Sequence, residues 1–418
     1  MTSPHRPTDV RQRPVMPADT RRPARTRRSV VARAGAVSAA AAVALAGCST
    51  GAPSGTGSPA GASASADGSA SGSAPSSGVR VSGAPAPLAA LVSTVYAGGD
   101  LTRTSSPSAA AALKTRKAAP GPVSAKAEVG SWMGTPVAVV TAGDDVTLAV
   151  GPTWKVVGGW WPSLGVEKPS LGGGPRWVLA IGSDARKGQP LERTRADVLQ
   201  VIGIDGKGGG GVMGMARDLW VPLATGGKGK INSAMVFGGP RAQVSTVRSV
   251  TGLPVEGYVV IGFSGFKKIV DDEGGIPIVI PKTVVASHAK NLVIKAGAQT
   301  LSGAEALAYA RERKTLPDGD FGRSRHQGEV ILAAAIKAKL AGPIAIPSAL
   351  TSFSTVGRSN LSAEQILTFT AGLHQLSPLQ VGRGVAQGAF GWAGQQSIVV
   401  LGRQARTLFA EFRDGNLS

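Results

Sequence analysis

A chain of 418 residues with 58 glycines, 28 prolines and 5% aromatic residues is too long for one ordinary domain, and its linker-like composition excludes folding along its whole length. The formal charge of +20 favours an anionic partner, whether a lipid headgroup, a phosphorylated glycan or nucleic acid. About a third of that excess lies in Met1–Cys48, which holds nine Arg against two Asp.

Residues 1–48 read as an export signal. An Arg-rich start through Arg28 precedes an uncharged, Ala-rich run from Ala34 to Ala46, and then comes Leu45-Ala46-Gly47-Cys48. At 13 residues of mostly Ala, the run is too short and too weakly apolar to span a bilayer. Leu-Ala-Gly-Cys resembles the bacterial lipobox, whose Cys becomes the lipidated first residue of the mature protein. Cys48, the only cysteine, is therefore expected to anchor the chain to the membrane. Arg27-Arg28-Ser29-Val30-Val31 also resembles a twin-arginine export signal, so the export route stays open between the general and twin-arginine pathways.

Residues 49–87 are Gly, Ser, Ala and Pro with hardly a charge and no apolar period. Such a segment cannot bury enough surface to offset its ordering entropy and reads as a flexible tether, with a root-mean-square reach of roughly 35–40 Å. Residues 88–174 read as a small accessory segment, β-rich or mixed: a short helix over Leu88 to Tyr96, then short strands at Trp132-Met133, Val137 to Thr141 and Val146 to Val150. Trp154, Trp160 and Trp161 form either a sugar-stacking platform or a packed corner.

At Trp177 the texture changes. Trp177 to Ile181 is a continuous apolar run ending in Gly182-Ser183-Asp184, as expected of a buried strand that delivers a polar loop. Asp197 begins the next strand, Val198 to Ile204, and Gly211 to Ala216 leads into Arg217-Asp218. Brought side by side, Asp184 and Asp197 would repel, which a divalent cation such as Mg²⁺ would relieve while leaving sites open for phosphate. Taken singly, either Asp reads as a turn residue or helix cap.

Beyond Lys230 a helix opens, Gly238-Gly239-Pro240 breaks it, and Arg241 to Val250 forms another. Glu256 to Phe263 reads as a strand, Ser264 as the cap of a helix from Gly265 to Asp272, and Gly275 to Pro281 as a further strand. This alternation predicts an α/β fold over 175–418, with a central, mostly buried β-sheet flanked by helices. Ser362 to Leu373, Ser397 to Leu401 and Arg403 to Phe412 would complete it as helix, strand and helix.

The stretch Ala308 to Gln327 concentrates guanidinium groups. Ser302 with Glu305 caps the preceding helix, and Gly328 to Leu340 reads as an apolar helix behind it. Arg323 and Gln327, four apart, share a helical face, whereas Arg311 and Arg313 converge only if the first helix ends there. A fork of donors aimed at one place suits a multiply charged oxyanion such as a pyrophosphate. The four histidines, His5, His288, His326 and His374, show no metal spacing, and His326 reads as exposed.

Gly-Ser-Asp-x-Arg at 182–186, Arg-Ala-Asp at 195–197, Ala-Arg-Asp at 216–218, Lys-Ile-Asn at 230–232, Phe-Gly-Gly-Pro at 237–240, Gly-Phe-Lys-Lys-Ile-Val-Asp at 265–271 and the Arg cluster together resemble the LytR-CpsA-Psr family from about Trp177 to Leu340. The resemblance implies a Mg²⁺-dependent phosphotransferase at the outer face of the cytoplasmic membrane. Such an enzyme moves an anionic glycopolymer, arabinogalactan or teichoic-type, from a polyprenyl-pyrophosphate carrier to peptidoglycan. It places the metal on Asp184 and Asp197, and the pyrophosphate on Arg217, Arg311, Arg313, Arg323 and Gln327, with Arg186, Arg195 and Lys230 in support. Arg217 counts as catalytic with Asp184 and Asp218, either carboxylate being able to take the acceptor's proton. A prenyl pocket would draw on Val259, Ile261, Phe263, Phe266, Ile269, Ile276 and Ile278, which by pattern alone are ordinary core. One departure is that family members are usually held by an uncleaved membrane helix. The alternative is a non-catalytic lipoprotein that binds polyprenyl-phosphate glycans as a wall-assembly scaffold. A nucleic-acid-binding role is disfavoured by the export signal and by the lack of a helix-turn-helix or zinc pattern.

Overall fold

The computed structural model describes residues 78–418 except Lys187, so the export signal, Cys48 and the tether as far as residue 77 lie outside the described residues. Two six-stranded sheets organise the rest.

The first sheet runs in chain order through β1 (Val79–Ser82), β2 (Val123–Trp132), β3 (Thr135–Ala142), β4 (Asp145–Val150), β5 (Lys155–Trp161) and β6 (Val166–Ser170). Its hairpins are tight. Trp132 pairs with Thr135 across a two-residue turn in which Met133 (φ 48°) and Gly134 (φ 90°) both take positive φ, the arrangement that matches strand twist. Period-two alternation then buries both faces. Ala138 and Val140 pack under the helices Ala86–Ala97 and Pro107–Leu113, while Val137 and Val139 face the helices Ile346–Val356 and Ala363–Gln375.

Those last two helices also pack on Val178 and Ile204 of the second sheet, so the two sheets share one core. Trp154 and Trp161 are 7% and 0% exposed, and the Trp161 indole donates to Thr147 Oγ1 at 2.8 Å. The tryptophans are therefore a packed corner, Trp160 stacking on His374 at 6.3 Å. Val79–Ser82, at the end of the stretch that composition assigns to the tether, is ordered as an edge strand parallel to β2 because its Val-x-Val alternation gives it an apolar side to bury.

The second sheet has the order Gly357–Ser359, Gly257–Gly262, β7 (Arg176–Ser183), β8 (Ala196–Ile204), β9 (Gly210–Met215), Val381–Ala386. β7, β8 and β9 form an antiparallel meander, while Gly257–Gly262 runs parallel to β7 and Val381–Ala386 parallel to β9. The carboxyl ends of β7, β9 and Gly257–Gly262 therefore meet the amino end of β8 at one edge.

Several expectations need correction. Ile276–Ile280 leaves the central sheet to form a separate hairpin with Gly297–Leu301, and Gln396–Leu401 likewise pairs with Gly388–Ala393. The outer strand Val381–Ala386 was hidden by its glycines. A Cβ at Gly382 would collide with the Leu417 backbone, and one at Gly384 would lie 2.6 Å from Leu408, so the strand is bare where the C-terminal segment closes over it. Gly262, not Ser264, occupies the N-cap of the helix Phe263–Asp272. The break at Gly239 is real: with φ 72° and ψ −172° it kinks the helix Ser233–Thr251.

Candidate anion-binding site

The sheet edge gathers the motif residues. Pairing of β7 with β8 jumps from Gly182–Val198 to Ser183–Ala196, which makes Asp197 the extra residue of a β-bulge and re-aims its side chain. Asp184, just past β7, donates its N–H to the Arg195 carbonyl at 3.0 Å. The two aspartates thus stand at neighbouring ends of antiparallel strands. After β9, Arg217 reaches back, with Nη1 2.5 Å from Asp197 Oδ1, and Asp218 lies 3.0 Å from Lys230 Nζ and 4.0 Å from Arg313 Nη1.

The Arg cluster arrives from two helices. Ser302 and Glu305 form the expected capping box of Gly303–Arg311, and that helix stops because Glu312 turns extended (φ −66°, ψ 135°), which lets Arg311 and Arg313 converge. The next helix, Asp320–Leu340, begins before the apolar run and carries Arg323 and Gln327 on one buried face, 7% and 4% exposed. Asp197, Arg217, Arg311, Arg313, Arg323 and Gln327 line a single cavity of about 220 Å³. Arg186 and Arg195 are exposed and outside it, and Asp184 and Lys230 stand beside it without lining it.

A second cavity of about 290 Å³ opens next to the first and shares Val198, Phe263, Arg311 and Gln327 with it. Its wall is almost wholly apolar and includes Val259, Ile261, Phe263, Phe266, Ile269 and Ile276, whereas Ile278 packs instead against the core of the neighbouring hairpins. At the junction the Arg311 guanidinium lies 4.3 Å over the Phe263 ring.

Four residues of the site escaped sequence reasoning. Glu312 is fully buried and accepts from the N–H groups of Ser287, Arg313 and Thr315 at 2.6, 2.9 and 3.0 Å and from the Ser287 hydroxyl. Burial alone would raise its pKa, but the donors from Thr315, Ser287 and Arg313 outweigh it and hold the carboxyl at about 2. Ser287 and His288, whose Nδ1 is 3.3 Å from Glu312 Oε2, line the cavity as well. Asp320, 4% exposed, pairs with Arg323 at 2.6 Å, yet neither carboxylate oxygen has a well-directed hydrogen bond. Burial raises its pKa against the pull of Arg323. The i,i+3 spacing of Asp320 to Arg323 was the available signal. His326 is not exposed as expected: it is buried, stacked on Tyr309 at 4.0 Å between ring centres, because that turn of the helix faces the core.

Among the described residues, no three His, Cys, Asp or Glu side chains form a protein cage for a metal. Asp197 lines the cavity with one carboxylate oxygen on Arg217, and Asp184 follows the neighbouring strand end, so a hard cation such as Mg²⁺ would find here at most one or two carboxylates and would take its other oxygens from water and phosphate. No single helix among the described residues is long and apolar enough to cross a membrane.

Residues 166–404 match the LytR_cpsA_psr family model. The chain is 37% identical over 169 residues to the polyisoprenyl-teichoic acid–peptidoglycan teichoic acid transferase TagV of Bacillus subtilis strain 168, covering 38% of this chain and 42% of that protein. It is 35% identical over 156 residues to the regulatory protein MsrR of Staphylococcus aureus strain Mu50, covering 37% and 46% respectively, so the matches span less than half the length of these relatives. A structure of TagT bound to LI-WTA superposes with a TM-score of 0.50 at 24% identity, over 59% of this chain and 92% of that one, and shows the same fold.

Proposed function

Because the chain belongs to the LytR_cpsA_psr family, we propose that it transfers an anionic cell-wall glycopolymer, arabinogalactan or teichoic-type, from a polyprenyl-pyrophosphate carrier to peptidoglycan. The observation that carries this reading is the pair of joined cavities. One is cationic and polar, the other apolar, and they meet where Arg311 lies over Phe263. A molecule with a diphosphate head and a hydrocarbon tail matches both at once.

Displacement at phosphorus needs charge neutralisation and placement more than a protein nucleophile. Arg217, Arg311, Arg313 and Arg323 supply delocalised positive charge, and their forked donors suit phosphate oxygens. Gln327 Nε2 donates to the Ala310 carbonyl at 3.2 Å, which ties the second helix to the end of the first. Asp218, bridged to Lys230 and Arg313, orders the cationic rim, and Asp184 and Asp218 are the carboxylates at this edge proposed to accept the acceptor's proton. Asp184 and Asp197 would hold Mg²⁺, which supplies further neutralisation of the diphosphate when bound. Arg186 and Arg195, exposed near the same edge, would support incoming anions electrostatically.

The direct experiment follows release of polyprenyl phosphate from a short polyprenyl-pyrophosphate-linked sugar, with and without Mg²⁺ and peptidoglycan fragments. Release that requires both establishes the ligase; tight binding without release identifies a carrier-binding scaffold instead. The tail assignment has its own test. Ala334 lines the apolar cavity, and Ala334→Phe is expected to raise KM for a lipid-linked donor at least about tenfold while leaving inorganic pyrophosphate binding unchanged, as filling a pocket removes apolar burial on the order of several CH₂ groups. Equal KM values would remove the tail from this cavity.

For location we propose the outer face of the cytoplasmic membrane, with lipidated Cys48 as the anchor. Cys48→Ala is expected to move the protein out of the membrane fraction; continued retention would assign anchoring to the Ala-rich run.

A further inference from the structure

Beside the anion cavity lies a groove that the reaction above does not use. It holds about 450 Å³ and is lined by Gln200, Phe321, Ser324, Arg325, Arg383 and Gln387, from the central sheet, the helix Asp320–Leu340 and the outer strand. Gln200 joins the groove to the anion site: its amide nitrogen donates to the Ser324 carbonyl at 2.9 Å and to Gln327 Oε1 at 3.3 Å. Its own Oε1 is buried without a hydrogen-bond partner.

The hairpin Gly388–Ala393 with Gln396–Leu401 stands at this groove and carries two of the most exposed aromatic rings of the described chain, Phe390 at 63% and Trp392 at 74%. Two apart on a strand, they share one face. The Phe390 ring touches Phe321 at 5.5 Å between centres, and Val399 of the partner strand donates its N–H to the Asp218 carbonyl at 2.9 Å. The aromatic face is thus fixed both to the groove and to a residue of the anion site.

The charges here are balanced. Arg325 pairs with Asp318 at 2.7 Å and Arg383 with Glu329 at 3.4 Å, so the groove offers guanidinium and amide hydrogen bonds without the surplus charge that a second phosphate would need. Flat exposed rings beside such donors suit a pyranose, with its apolar ring face and its hydroxyl rim.

We propose that this groove and the Phe390–Trp392 face form a saccharide-binding subsite, which holds a sugar ring of the donor glycan or of the acceptor strand next to the phosphate to be transferred. The choice of saccharide rests on the function proposed above, but the site is tested by binding and needs no turnover. The full chain is titrated with a β-1,4-linked N-acetylglucosamine tetramer, and separately with a polyprenyl pyrophosphate with and without an attached disaccharide, and followed by saturation-transfer NMR and tryptophan fluorescence. Tetramer binding that falls at least tenfold in Trp392→Ala, while Arg311→Ala binds it as the parent does, places the acceptor strand here. Trp392→Ala weakening only the disaccharide-bearing lipid, with the sugar-free lipid bound normally, places the donor glycan here. If the parent binds no saccharide better than the bare lipid, or if Trp392→Ala and Phe390→Ala bind both probes as the parent does, the subsite does not exist. Saccharide titrations as expected, in a parent that releases no polyprenyl phosphate, would support the subsite and count against the proposed reaction only.

Discussion

Asp197→Ala is expected to lower transfer about a hundred- to a thousandfold, the usual scale for removing one charge-organising group from a phosphoryl-transfer site. Two roles converge on this side chain. Its carboxylate holds the Arg217 guanidinium at 2.5 Å, and with Asp184 it is the proposed Mg²⁺ position. The bulge that aims it is set by backbone pairing, so the fold should survive and thermal unfolding should shift by no more than a few degrees. Single-turnover release of polyprenyl phosphate with varied Mg²⁺ separates the roles: a raised Mg²⁺ requirement supports metal holding, while unchanged Mg²⁺ dependence with reduced rate confines Asp197 to positioning Arg217. Activity equal to that of the parent would remove Asp197 from the site.

Glu312→Gln should cost about 2–3 kcal/mol of stability and raise KM for the pyrophosphate donor more than it lowers kcat. The reason is geometric. Glu312 Oε1 accepts from Arg313 and Thr315, and Oε2 from Ser287, so an amide in its place turns an NH₂ toward one set of donors and strands them. Arg311 and Arg313 flank this clamp and lose their common aim when it loosens. The pH dependence follows from the depressed pKa. A carboxyl held at about 2 rather than its usual 4.5 contributes stability that is fully present above about pH 4.5 and is lost as the pH falls toward 2. Acid unfolding of the parent should therefore show a contribution in that window that is absent from Glu312→Gln. Identical acid profiles would show that the buried carboxylate does not titrate on unfolding.

How much of this was legible in the sequence depends on which force set each feature. Arg323 and Gln327 could be paired from spacing alone, because i,i+4 geometry on a helix is local. The convergence of Arg311 and Arg313 could be stated only as a condition, since it required the helix to stop, and the stop is made by a buried carboxylate whose donors come from residue 287 as well as from its own loop. Glu312 and Asp320 sat inside a charged run that reads as solvated; burial by distant elements, invisible in a local window, converts them into structural groups. The bulge at Asp197 depends on strand register, which no local pattern encodes. The strand Val381–Ala386 failed the strand pattern because its glycines answer to the C-terminal segment packed against them. Local sequence does not decide between packing and sugar stacking for the Trp-rich corner, and the exposed rings sit elsewhere, on a hairpin that reads as a plain terminal strand.

The helices Ile346–Val356 and Ala363–Gln375 serve two sheets with one apolar surface. The recognisable family region, residues 166–404, is accordingly not the physical unit of folding. Cut at residue 166, the chain would present Leu350, Leu367 and Phe369 to water on the side now covered by Val137, Val139 and Leu148. Any exchange of this family region between proteins, by recombination or by engineering, must carry its amino-terminal sheet along or supply another cover for that surface. The ancestry visible in a sequence match and the smallest stable body are two different boundaries here, separated by the roughly 90 residues of the first sheet and its helices.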